Sequence, residues 1–184
     1  MSTRFAQIVL GPAGSGKSTY IKAMAEHYRS IHRVVHCVNM DPAATNLQYD
    51  AAVDIREAID VREAMNRFGF GPNGALVFCL EEVMRDMEWL DDAIGEHDYD
   101  YLLVDFPGQI ELFSHLDILP RLLKVFEQKG YHLCGVFLLD SQFMIDPSKF
   151  LSGALVALSA MTMFGIPHIN LLSKGDLLTE EQKD

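Results

Sequence analysis

The sequence predicts an α/β domain built on a mainly parallel, twisted sheet with helices on both faces, and three observations predict it. Short runs rich in β-branched and apolar residues alternate with longer stretches whose apolar residues recur at helical spacing. Each short run ends in polar or Gly/Pro punctuation: Gly11-Pro12, Asp41-Pro42, Asp105-Phe106-Pro107-Gly108, Asp140-Ser141 and Ser173-Lys174-Gly175-Asp176. The 184 residues suffice for one domain with a sizeable core, spanning 1–184, and are too few for two.

Taken in order, residues 5–10 read as a buried first strand, followed by a glycine-rich loop and a helix over 17–28. Residues 33–39 read as the second strand. Residues 101–104, 133–139 and 168–172 read as the third, fourth and fifth. Helices are expected over 55–66, 75–84, 116–128 and 149–164, the last started by Pro147, whose fixed φ suits a first helical turn. Residues 45–98 form an insertion between the second and third strands. The chain stops soon after the fifth strand, so the domain is expected to lack a C-terminal strand and helices.

Apolar residues make up 49% and charged residues 22%, as in ordinary globular proteins. The net charge of −11 excludes an electrostatically driven nucleic-acid binder, which needs clustered Lys and Arg. It leaves nucleotide binding open, because backbone N–H groups can hold a phosphate inside an acidic protein. Cys37, Cys79 and Cys134 are odd in number, widely spaced and set among apolar neighbours, which predicts free thiols in a reducing compartment. No apolar run reaches membrane-spanning length and no signal-peptide core opens the chain, so a soluble, cytoplasmic protein is expected.

Gly11-Pro12-Ala13-Gly14-Ser15-Gly16-Lys17-Ser18 fits the G-x-x-x-x-G-K-[ST] pattern and lies between a strand and a helix. Glycines let the backbone close around phosphates, and the following helix turns its N-terminus toward them, with Thr19 continuing the stretch. Lys17 is expected on the β- and γ-phosphates and the Ser18 hydroxyl on Mg²⁺. Asp105 ends the third strand, where a phosphate-loop protein keeps its second carboxylate on the Mg²⁺ side. Gly108 is then placed to sense the γ-phosphate through its backbone N–H. Gln109 or Glu111 would orient the attacking water. Asp41, ending the second strand, would face the phosphates from the other side or serve as a plain turn residue before Pro42.

Ser173, Lys174 and Asp176 form an S-K-x-D element just past the fifth strand. An Asp carboxylate there accepts from the N1–H and exocyclic amine of guanine while the Lys stem covers the ring; adenine offers no such donor pair. The element predicts GTP or GDP as ligand. Gly71-Pro72-Asn73-Gly74 reads, on composition, as a stiff turn.

Together these motifs resemble the GPN-loop GTPase family, whose naming motif is Gly71-Pro72-Asn73. The supporting stretches are GPAGSGKST (11–19), NMDPAA (39–44), FGPNGALVF (70–78), DFPGQIEL (105–112) and SKGD (173–176), spread over essentially the whole chain. Residues 134–144 and 150–161 look most like the third paralogue. The resemblance implies a GTP-hydrolysing switch of the signal-recognition-particle/MinD-like class, working as a homodimer or as a heterodimer with a GPN-loop paralogue. It also implies that Asn73 reaches in trans toward the partner's γ-phosphate. It further implies a tie to RNA polymerase II subunits, their assembly and nuclear import. Phe106 departs from the family pattern, which has a small residue there, and is expected to crowd the switch.

Two other readings share the fold. A small-molecule or nucleoside kinase also begins with a phosphate loop, but lacks the guanine-reading element and needs a basic lid that Arg121, Lys124 and Lys129 do not supply. A catalytically inactive nucleotide-binding scaffold would have no use for an intact Lys17, Ser18, Asp105 and Gln109.

Overall fold

Strand β1 (Arg4–Leu10) runs through the middle of a six-stranded sheet whose order is β3-β2-β4-β1-β5-β6 and whose neighbours are all parallel. The computed structural model describes residues 4–183 apart from 86, 96–100, 110 and 115. The other strands are β2 (His36–Asn39), β3 (Ala51–Asp54), β4 (Tyr101–Asp105), β5 (Tyr131–Asp140) and β6 (His168–Ser173). Alternate residues of β1 feed two separate cores: Ala6, Ile8 and Leu10 pack on one face, Val9 on the other. Burial on both faces is what a parallel sheet requires, and it explains why the strands read as continuous apolar runs.

Helix α1 (Lys17–Ser30) covers the smaller core through Ile21, against Val9, Cys37, Leu103, Val136 and Leu138. The larger core is closed by α3 (Pro72–Arg85), α4 (Met87–Gly95), α6 (Ile118–Gln128) and α7 (Pro147–Phe164). Each fully buried Leu, Ile or Phe contributes roughly 1.5–3 kcal/mol. α7 starts as the sequence suggests: Pro147 occupies its first turn and the Asp146 carboxylate accepts the Lys149 N–H at 2.9 Å. The outer surface of α7 and β6 exposes Leu151, Leu155, Leu158, Ile169 and Leu172.

Several elements differ from expectation. β3 carries no strand signal of its own; it pairs with β2 at Cys37↔Ala51, Val38↔Val53 and Asn39↔Asp54, so the segment 45–98 begins by completing the sheet. The helix expected over 55–66 is interrupted by two aspartate caps. Asp54 caps a 3₁₀ turn (Ile55–Glu57), and Asp60 caps α2 (Val61–Phe68), which ends on left-handed Gly69. Gly71-Pro72-Asn73 is the start of a helix, not a free turn: Pro72 is the first residue of α3, and the Ala75 N–H donates to the Gly71 carbonyl at 2.9 Å. The second strand begins at His36 instead of residue 33. α4 and the short helices α5 (Glu111–Ser114) and α8 (Glu180–Lys183) are additions to the expected set.

Phe106 does not crowd the switch. Its ring is fully buried in the larger core, and its N–H continues the sheet by donating to the Val9 carbonyl at 3.3 Å. Cys37 and Cys79 are buried and Cys134 half-buried, all as free thiols. Among the described residues no helix is long and apolar enough to cross a membrane.

Candidate functional site

The sheet register delivers the motif residues to one edge. Val9 lies level with Asp105, Asp105 with Asn39, and Asp140 with Ser173. The chain leaves β1 at Gly11, where φ is +139° and an added Cβ would lie 2.3 Å from the Leu138 carbonyl oxygen, so a glycine is required. The loop then turns through Ser15 N–H to Pro12 C=O at 3.1 Å and enters α1 through Gly16 in the left-handed region. Gly16 provides no side-chain cap, and the first turn of α1 carries no acidic residue. The N–H groups there face a site suited to an anion.

Lys17 folds over the loop, donating from Nζ to the carbonyls of Gly11 at 3.1 Å and Pro12 at 3.3 Å. Burial pushes its ammonium below the ordinary value, against the pull of Asp105 and Asp41. Ser18 donates its hydroxyl to Asp105 Oδ2 at 3.0 Å, and the Tyr49 phenol donates to the same oxygen at 3.0 Å. Among the described residues Asp105 Oδ1 is buried without a hydrogen-bond partner. Burial raises the Asp105 pKa, opposed by Lys17, Tyr49 and Ser18. A hydroxyl and a carboxylate with an unmatched buried oxygen are hard donors that fit Mg²⁺, which takes one or two protein oxygens and completes its shell with phosphates and water.

The segment after β4 closes on the loop. Ala13 donates its N–H to the Gly108 carbonyl at 3.0 Å, which holds Gly108 against the loop. A Cβ on Gly108 would lie 2.7 Å from both Ala13 N and Lys17 Nζ. Gln109 follows, its Oε1 buried and unmatched among the described residues, while Glu111 is exposed at the start of α5. Ser15 Oγ is likewise buried without a partner.

Asp41 leaves β2 into a turn: its Oδ1 accepts the Ala43 N–H at 2.9 Å and its own N–H donates to Asn39 Oδ1 at 3.0 Å. Burial raises its pKa, countered by the Ala43 hydrogen bond, Lys17 and Arg56. A network that the sequence did not reveal holds this turn. Buried Asn39 donates to Asp54 Oδ1 at 2.8 Å, Asp54 pairs with Arg56, and Arg56 reaches the Ala44 carbonyl at 2.9 Å. Thr19 donates its hydroxyl to Gln48 Oε1 at 3.2 Å.

The S-K-x-D element sits against the same loop. Ser173 Oγ lies 2.6 Å from the Ser15 carbonyl and 3.2 Å from that of Leu139. Lys174, with φ +59°, pairs with Asp140 at 2.8 Å. Asp176 is exposed in a 3₁₀ turn (Gly175–Leu177). Gly71, Pro72 and Asn73 are exposed at the start of α3, and among the described residues no hydrogen bond joins them to the phosphate loop of their own chain. The structure therefore brings together Gly11–Ser18, Asp41, Asp105, Gly108, Gln109 and Ser173, and leaves Asn73 apart. Tyr49, Asn39, Asp54 and Arg56 escaped the sequence; a lone Tyr or Arg in a polar stretch carries no pattern.

Phosphate loop, Ser–Asp pair and parallel sheet define a P-loop nucleotide-binding domain. Residues 9–184 match the family model described as "conserved hypothetical ATP binding protein". GPN-loop GTPase 3 of Danio rerio is 48% identical over 182 residues, covering 98% of this chain and 64% of that protein. The Dictyostelium discoideum protein of that name is 49% identical over 172 residues, covering 94% and 60%. The crystal structure of a GTPase in apo form from Pyrococcus abyssi superimposes with a TM-score of 0.81 at 32% identity, covering all of this chain and 72% of that one. The chain belongs to the GPN-loop GTPase family. It spans 60 to 66% of the length of these two curated relatives and their counterpart from Kluyveromyces lactis.

Proposed function

We propose that this chain binds GTP with Mg²⁺ and hydrolyses it to GDP and phosphate. The observation that carries the reading is the Ser18–Asp105 pair set beneath a glycine loop whose helix has no side-chain cap. Lys17 exchanges the Gly11 and Pro12 carbonyls for β- and γ-phosphate oxygens, and the N–H groups of α1 take the rest. Ser18 and Asp105 hold the Mg²⁺, which neutralises the charge of the two outer phosphates.

Between Gln109 and Glu111, the structure favours Gln109 as the group that orients water, because its Oε1 is buried and unmatched. The water oxygen bonds to the γ-phosphorus, the bond from that phosphorus to the β–γ bridging oxygen breaks, and the water proton leaves on the phosphate. Asp41, held by Ala43 and Asn39, accepts from this water or from one on the metal side. Asp176 accepts the two guanine donors and the Lys174 stem covers the base. The relatives are called GTPases whereas the family model is described as ATP binding, and the Ser173–Asp176 element supports guanine.

The protein acts as a dimer with a second copy or a GPN-loop paralogue, Asn73 serving the neighbour's γ-phosphate. The family resemblance and the exposed position of Gly71–Asn73 support this. By the same resemblance the whole protein works in the cytoplasm, and in passage to the nucleus, on RNA polymerase II subunits during their assembly. The test is to denature the purified protein, identify the released nucleotide, and measure the mass of the native complex by light scattering. Guanine nucleotide in a two-subunit complex supports the proposal; adenine nucleotide in a monomer overturns it.

A further inference from the structure

We propose that Tyr49 is a positioning residue that aims the Asp105 carboxylate at the metal. The inference rests on the GTP–Mg²⁺ reading above and adds to it a residue that neither the phosphate loop nor the GPN motif contains.

Asp105 Oδ2 is a shared acceptor: Ser18 Oγ and Tyr49 Oη both lie 3.0 Å from it. Two donors on one oxygen fix the rotation of the carboxylate about its last bond and leave Oδ1 as the free, buried acceptor. Ser18 alone cannot do this, because its oxygen must also serve the metal. Tyr49 lies outside α1, in the segment that joins β2 to β3. Its ring is anchored against Val9, Ile21, Cys37 and Leu103 in the smaller core, with only 9% of its surface exposed. The chain beside it is tied down twice, by Thr19 Oγ1 to Gln48 Oε1 at 3.2 Å and by the pairing of β3 with β2, which begins at Ala51. The short edge strand therefore fixes the height at which the Tyr49 phenol meets Asp105.

A buried tyrosine could instead be a packing residue that happens to find an acceptor. The two roles separate on metal. A packing role loses stability when the hydroxyl is removed and leaves metal affinity unchanged. A positioning role loses metal affinity, because the carboxylate is then free to rotate and a ligand oxygen is no longer presented.

The experiment uses Tyr49→Phe in the 184-residue chain, with Tyr20→Phe as control. Tyr20 packs against the same smaller core, and its hydroxyl donates to Gln7 Oε1 at 2.9 Å, so the control loses a tyrosine hydrogen bond away from Asp105. Mn²⁺ binding to the protein–GDP complex is titrated by electron paramagnetic resonance, and GDP binding is measured in EDTA. The expected result for Tyr49→Phe is a Kd for Mn²⁺ raised about tenfold, the scale of one hydrogen bond to a charged group. GDP affinity in EDTA stays within about twofold of the wild type, and the Tyr20→Phe variant keeps wild-type Mn²⁺ affinity.

GTP turnover serves as a second readout. At limiting Mg²⁺ the Tyr49→Phe rate should fall and recover as Mg²⁺ is raised. Unchanged Mn²⁺ affinity in Tyr49→Phe overturns the positioning role while the proposed function stands, as does a variant too unstable to fold, since the hydroxyl is then structural. A wild type that binds GDP but takes no Mn²⁺ overturns both.

Discussion

Ser18 and Asp105 stand 87 residues apart in sequence and 3.0 Å apart in space, the hydroxyl of one donating to the carboxylate of the other. The contact follows from the pairing of β4 with β1, which sets Asp105 level with Val9 and so directly below the loop that begins at Gly11. It joins α1, just past the glycine loop, to the carboxylate that ends β4 without any intervening residue.

Lys17→Ala removes the charge meant for the outer phosphates. GTP affinity should fall at least about a hundredfold, the scale of two lost charge-assisted hydrogen bonds. Titration with a fluorescent GTP analogue checks this, with circular dichroism showing that α1 and the sheet persist.

Gly108→Ala should separate the closing segment from the loop. The added methyl would come within 2.7 Å of Ala13 N and Lys17 Nζ, and the backbone atom has nowhere to go without breaking the Ala13–Gly108 hydrogen bond. Turnover should drop roughly ten- to a hundredfold, with GDP binding reduced less, if Gly108 serves the γ-phosphate. Single-turnover hydrolysis alongside GDP titration separates the two effects.

The phosphate loop is legible in the sequence because its glycines are demanded by positive φ and close backbone approach, and such demands leave a local signature. The strands are legible because burial on both faces makes them continuous apolar runs. β3 is hidden because Ala51–Asp54 holds a single β-branched residue, Val53, and owes its strand state to the neighbouring β2. Gly71-Pro72-Asn73 misleads because proline opens helices and turns alike. Tyr49 and the Asn39–Asp54–Arg56 chain leave no signal, since their partners are distant in sequence or of common types.

Asp105 links the site to stability. Its folded pKa is raised above the ordinary 3.8, chiefly by burial. The carboxyl's contribution is then fully present below that value and is lost as pH rises through the folded pKa. In the absence of nucleotide, Asp105→Asn should therefore melt at a higher Tm than the wild type at neutral pH, and the gap should close as pH falls toward 3.8. Thermal melts of both proteins across pH 4 to 8, about one unit apart, give the comparison. The same variant should lose Mg²⁺-dependent tightening of GTP binding.

Asn73→Ala should lower GTP hydrolysis roughly ten- to a thousandfold while leaving GTP affinity near normal, if the amide acts on the transition state. Light scattering on the same samples must show the dimer intact. Wild-type turnover in a confirmed dimer would reduce Gly71–Asn73 to the start of α3.

Asp176→Asn should move preference from GTP toward xanthosine triphosphate. An amide offers one donor and one acceptor, which suits the carbonyl that xanthine carries in place of the amine. The loss for GTP should be roughly ten- to a hundredfold. Competition binding of GTP, ATP and xanthosine triphosphate to both proteins measures it.

Phosphate release reads the proposed hydrolysis of GTP with Mg²⁺ at this site. The purified chain is incubated with GTP or ATP, with Mg²⁺ or with EDTA, and with and without a phosphoryl acceptor. Multiple-turnover release of phosphate from GTP is expected, faster than from ATP, abolished by EDTA and by Lys17→Ala, and independent of acceptor. No release from GTP, or transfer only when an acceptor is present, would contradict it.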